Sequence, residues 1–89
     1  MNSYLSNILK LLEFIEIKVN SCEISDSKAR IIYQYYQWEE EIIIDFTKKS
    51  HEGEIGHSVF CYYKSYNKEL NPIGYNELLR ILFEISLEI

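Results

Sequence analysis

The chain has 89 residues, 47% of them hydrophobic and 15% aromatic, with 14 acidic against 9 basic side chains and a formal net charge of −5. That apolar content offsets the entropy of ordering one domain over residues 1–89, so the composition excludes a disordered chain. The acidic balance, with arginine only at Arg30 and Arg80, opposes nucleic-acid binding, and no apolar run approaches the roughly 20 residues of a membrane-spanning helix.

From Ser3 to about Glu13, Leu5, Ile8, Leu9 and Leu12 recur at helical spacing among Ser6, Asn7, Lys10 and Glu13, which predicts an amphipathic helix with Asn2 or Ser3 as its cap. This opening segment has neither a cationic region ahead of its apolar part nor a small-residue cleavage site, so it does not read as a secretion signal, and a cytoplasmic protein is expected. The period then changes to two: Ile15, Ile17 and Val19 alternate with Glu16, Lys18 and Asn20. Cys22 and Ile24 continue in the opposite parity, which predicts a bulge near Asn20 and Ser21. Ser25, Asp26 and Ser27 signal a turn, because their side chains bond nearby backbone amides.

A second strand is predicted from Lys28 to about Trp38, a third from Glu41 to about Lys48, and a fourth from His57 to Tyr66, with the glycine-bearing, charged segment between the last two as a loop. Asn71 and Pro72 mark the approach to a helix, with Asn76 as an alternative cap. From Tyr75 to Ile89 the polar positions Asn76, Arg80, Glu84 and Glu88 form one narrow stripe opposite Leu78, Ile81, Leu82 and Ile85. Leu79, Phe83 and Leu87 widen the apolar arc beyond what one sheet contact needs. The expected fold is therefore α+β, in the order α-β-β-β-β-α: a four-stranded antiparallel sheet with the N-terminal and C-terminal helices on one face.

The stretch from Tyr33 to Phe46 is the most informative. With a hairpin loop of even length around Glu39 and Glu40, one face of strands two and three carries Ile31, Tyr33, Tyr35, Ile42, Ile44 and Phe46, a core face. The other carries Ile32, Gln34, Tyr36, Trp38, Glu41, Ile43, Asp45 and Thr47. Large aromatics beside carboxylates make a poor core and a good interface, since tyrosine and tryptophan anchor interfaces and carboxylates steer a basic partner. The competing reading is structural: Tyr36 and Trp38 cover the open sheet or pack under the C-terminal helix.

Enzyme signatures are absent. His51 and His57 stand six apart with Gly53 and Gly56 nearby, unlike the helical H-E-x-x-H zinc motif, although a loop holding His51, Glu52, Glu54 and His57 could gather round a metal. Cys61 and His57 would lie about 13 Å apart along a strand, too far for a nucleophile and its base. Cys22 and Cys61 match no zinc or redox spacing and are expected to be buried thiols. No phosphate-binding glycine loop or dinucleotide fingerprint occurs, and Glu39, Glu40 and Glu41 lack the enclosed site that paired-carboxylate chemistry needs. The expectation is a non-enzyme without cofactor or metal.

In size, charge and aromatic content the chain resembles the immunity proteins that bacteria carry against their own secreted toxins, many of which are cationic nucleases. The resemblance implies a small acidic inhibitor that occludes the active or substrate-binding surface of a basic partner, with Tyr36 and Trp38 as anchors and Glu39, Glu40, Glu41 and Asp45 meeting its lysines or arginines. A phage-encoded inhibitor of a defence nuclease fits the same features. The alternative is an oligomeric accessory subunit packing through Leu79, Phe83 and Leu87, favoured if those side chains are exposed in the monomer.

Overall fold

The computed structural model describes residues 3–49, 59–64 and 71–88. Helix α1 spans Ser3–Phe14 and helix α2 spans Tyr75–Glu88; between them lie strands β1 (Val19–Ile24), β2 (Lys28–Tyr35), β3 (Trp38–Lys49), β4 (Val59–Lys64) and β5 (Asn71–Gly74). The strands form one antiparallel meander in sequence order. The α+β class, the antiparallel sheet and both terminal helices follow the sequence expectation. Among the described residues no helix is long and apolar enough to cross a membrane.

Helix α1 forms where the spacing puts it, burying Leu5, Ile8 and Leu12 on one stripe. It ends in a Schellman arrangement: the Ile17 amide donates to the Leu12 carbonyl at 2.9 Å and the Glu16 amide to the Glu13 carbonyl at 3.0 Å, with Glu16 in the left-handed region at φ 62°. Closing the helix this way uses Ile15, Glu16 and Ile17, which alternation had placed in a strand. The strand begins only at Val19, and its register shifts between Val19 and Ser21, where the change of parity predicted a bulge.

The fifth strand is the main departure from the expected order. Asn71 and Pro72 precede the helix but do not cap or open it; they form a strand in which Asn71 pairs with Tyr63, Pro72 with Tyr62 and Ile73 with Cys61. Proline is tolerated there because β5 is an edge strand, where no outward N–H is needed for a ladder. The helix then starts at Tyr75, immediately after Gly74, and Asn76 lies inside it rather than capping it.

An odd number of antiparallel strands sends β1 and β5 in the same direction. Each neighbouring helix doubles back along its strand, so α1 and α2 run parallel to one another. Tyr4 meets Tyr75 edge-on at the N-terminal ends, with ring centroids 4.8 Å apart, and Phe14, Ile15 and Ser86 line one depression at the C-terminal ends.

Both helices cover the same sheet face. Leu5, Ile8 and Leu12 of α1 and Leu78, Leu82 and Ile85 of α2 share a single core with Ala29, Ile31, Tyr33, Ile42 and Ile44. Each fully buried leucine or isoleucine contributes on the order of 1.5–3 kcal/mol relative to an exposed position, so this layer holds the sheet and its hairpins in place.

Candidate functional site: the β2–β3 hairpin

The β2–β3 connection is a two-residue turn at Tyr36 and Gln37, closed by the pair Tyr35 and Trp38. Tyr36 takes a positive φ of 56° and Gln37 does not, the pattern of a type II′ turn, in which glycine normally holds the first position. The expected turn at Glu39 and Glu40 is therefore displaced to residues without turn chemistry. Both loops contain an even number of residues, so the core face of Ile31, Tyr33, Tyr35, Ile42 and Ile44 is unchanged. What changes is the fate of residues 36–40.

Tyr36 leaves the strand for the turn and is 57% exposed. It rests on Tyr35, with ring centroids 4.6 Å apart, and on Trp38 at 5.8 Å; Tyr35 and Trp38 are 5.6 Å apart. The Tyr36 carbonyl accepts from Gln34 Nε2 at 2.9 Å. Trp38 was expected on the open face, but opposite Tyr35 it falls on the helix-covered face and is half-buried against the core.

Glu40 is the largest correction. Expected to meet a partner's cations, it is instead buried, and its Oε1 accepts from the hydroxyls of Tyr33 and Tyr63, each at 2.8 Å. Trp38 Nε1 lies 3.5 Å from its Oε2. Burial pushes both tyrosine hydroxyls far above their ordinary pKa, with the neighbouring Glu40 charge adding to the shift. This carboxylate serves the interior of the fold.

Asp45 is likewise buried. Its Oδ1 accepts from the Thr47 amide at 3.0 Å and the Thr47 hydroxyl at 2.6 Å, beside the irregularity that breaks the β3–β4 register after Asp45. It is not a surface carboxylate. Glu39 and Glu41 do lie on the open face: Glu39 Oε2 accepts from Asn20 Nδ2 at 2.8 Å, and Glu41 is ion-paired with Arg30. Asn20 also donates to Gln34 Oε1 at 3.0 Å, so the β1 bulge tethers the edge strand to the base of the hairpin. Of the six residues expected to bind a partner, Tyr36 and Glu39 are exposed, Trp38 and Glu41 partly so, and Glu40 and Asp45 are enclosed.

The remaining sequence candidates divide similarly. Cys22 is exposed rather than buried. Partial desolvation still raises its thiol pKa, the opposite of the lowered value a reactive cysteine needs. The loop with His51, Glu52, Glu54 and His57 lies outside the described residues, and so does the pairing of His57 with Cys61. Among the described residues no group of three or more His, Cys, Asp or Glu side chains is placed to hold a metal.

Sequence reasoning missed the exposed Phe14, which is 84% accessible at the end of α1. A signal was present: Phe14 falls on the side of the helix opposite Leu5, Ile8 and Leu12, an apolar residue where the pattern asks for a polar one. On α2, Leu79 is partly buried, while Phe83 and Leu87 are 58% and 73% exposed. Comparison with protein-family models, curated proteins and solved structures gives no match for this chain.

Proposed function

We propose that this chain is a non-enzymatic, protein-binding inhibitor of the immunity-protein kind, and that it occludes a cationic, nuclease-type toxin through the tip of the β2–β3 hairpin. The observation that carries this reading is Tyr36: a bulky residue held at a positive φ that glycine would fill without strain, more than half exposed, on a floor of Tyr35 and Trp38. Such conformations cost on the order of 1–3 kcal/mol and cluster at functional positions. Glu39 and, in part, Glu41 supply the negative charge beside it. A phage inhibitor of a defence nuclease would use the same surface.

The test is capture of the partner from the native source by tagged protein, with Tyr36→Ala as control. A basic protein held one-to-one by the wild type and lost by the variant supports the proposal, and its association rate should fall as salt rises. Capture that is indifferent to Tyr36 would sink it. A second reading, self-association through α2, is favoured by the exposure of Phe83 and Leu87; a concentration-dependent mass in light scattering that Phe83→Ser abolishes would establish it.

A further inference from the structure

The β2–β3 tip and the C-terminal ends of both helices lie at the same end of the molecule. Only four residues separate the end of helix α1 from Val19, and Val19 pairs with Tyr33, two residues from the last pair of the hairpin. The parallel course of α2 brings its own C-terminal end alongside. Five large apolar side chains are exposed among the described residues: Phe14, Ile24, Tyr36, Phe83 and Leu87. All but Ile24 belong to this end.

Between the helix ends is a depression of ≈ 500 Å³, lined among the described residues by Phe14, Ile15, Glu16 and Ser86. Phe83 and Leu87 are exposed on the same turn of α2 as Ser86, three residues before it and one after. Glu16 puts a carboxylate in the lining. Two parallel helices direct the negative ends of their dipoles here, neither has a basic residue in its last turn, and no ion pair among the described residues reaches the Glu16 carboxylate. A lining that sets Phe14 and Ile15 beside an unpaired carboxylate suits a side chain with an aliphatic stem and a cationic head.

We infer that this depression receives a lysine or arginine side chain of the basic partner, carried on a segment whose apolar neighbours cover Phe14, Phe83 and Leu87. The inference rests on the proposed function for the existence of that partner, and it adds a second point of attachment beside the hairpin. A second copy of this chain is disfavoured as the occupant because it would bring two chains of net charge −5 together at their electronegative ends. An anionic ligand has the wrong sign.

The test is a nuclear magnetic resonance titration of the full chain with acetyl-Leu-Arg-Lys-Leu-amide, compared with a control peptide carrying citrulline and acetyl-lysine. The expected result is a set of amide shifts concentrated at Phe14–Ile17 and at residues 83–87, with affinity at least fivefold lower for the control peptide and for Glu16→Gln. Glu16 and Phe14 are exposed, so Glu16→Gln and Phe14→Ser should both fold. Shifts scattered over other carboxylates, equal affinity for the uncharged peptide, or no response to Glu16→Gln would overturn the inference. Tyr36→Ala should leave this peptide binding unchanged. Failure at Tyr36 alone therefore counts against the proposed function, and failure at Glu16 alone counts against the second attachment point.

Discussion

Tyr33 on β2 and Glu40 on β3 stand directly opposite each other in the sheet register, and the tyrosine hydroxyl donates to the carboxylate at 2.8 Å. Tyr63, on the other side of β3, donates to the same oxygen. One carboxylate thus joins three strands inside the core.

Glu40→Ala should destabilise the fold by about 3 kcal/mol, because it leaves two enclosed hydroxyls without an acceptor, each costing about 1–3 kcal/mol. Glu40→Gln keeps an acceptor oxygen but loses the charge assistance, and about 1 kcal/mol is expected. Urea unfolding followed by circular dichroism measures both. Equal, negligible losses would show that the triad contributes nothing.

The same triad sets an alkaline limit. Tyr33 and Tyr63 have folded-state pKa values raised above the unfolded value of about 10. Their contribution is complete below that pH and is lost as pH rises beyond it, because the unfolded chain releases those protons first. Urea midpoints should hold steady from pH 7 to 9 and fall above about pH 10. Absorbance at the tyrosinate band should reveal two tyrosines that ionise only as the near-ultraviolet dichroism disappears. Ionisation of both in the folded protein would contradict the burial argument.

Glu16→Gly should stabilise the protein by about 0.5–1 kcal/mol. The position sits at φ 62°, where glycine is at ease and a side chain is not, and the part of this benefit lost to the greater freedom of glycine in the unfolded chain is smaller at a left-handed site. Thermal unfolding reads this as a rise in Tm of a few degrees. A lower Tm would mean that the Glu16 side chain contributes more to the fold than the depression it lines suggests.

Tyr36→Gly separates stability from binding. It should relieve the turn, leaving stability unchanged or higher by up to about 1 kcal/mol against the loss of ring contacts with Tyr35 and Trp38. Partner capture should nonetheless fall at least tenfold. A variant both less stable and fully able to bind would make Tyr36 a structural residue.

Much of this arrangement was legible in residue order. The periods of α1 and α2, the change of parity at Asn20, and the core parity of Ile31, Tyr33, Ile42 and Ile44 all reflect burial of one face, which local spacing records. The hairpin turn was not legible, since neither Tyr36 nor Gln37 is a turn residue and the neighbouring glutamates resembled a solvated loop. Moving the turn by three positions put Trp38 and Glu40 on the covered face. Their side chains suit an exposed patch and an interior network equally well, so only the register decided between them.

By itself, then, the sequence determined the α+β class, the two amphipathic helices and the apolar face between them, because hydrophobic periodicity is a local property and its burial is the largest driving force. The tertiary structure alone decided that Glu40 and Asp45 are interior, that a fifth strand turns the helices parallel, and that Tyr36, Phe14, Phe83 and Leu87 gather at one end. These depend on pairings between residues distant in the chain, and the energy of such a pairing exists only once the partners have met.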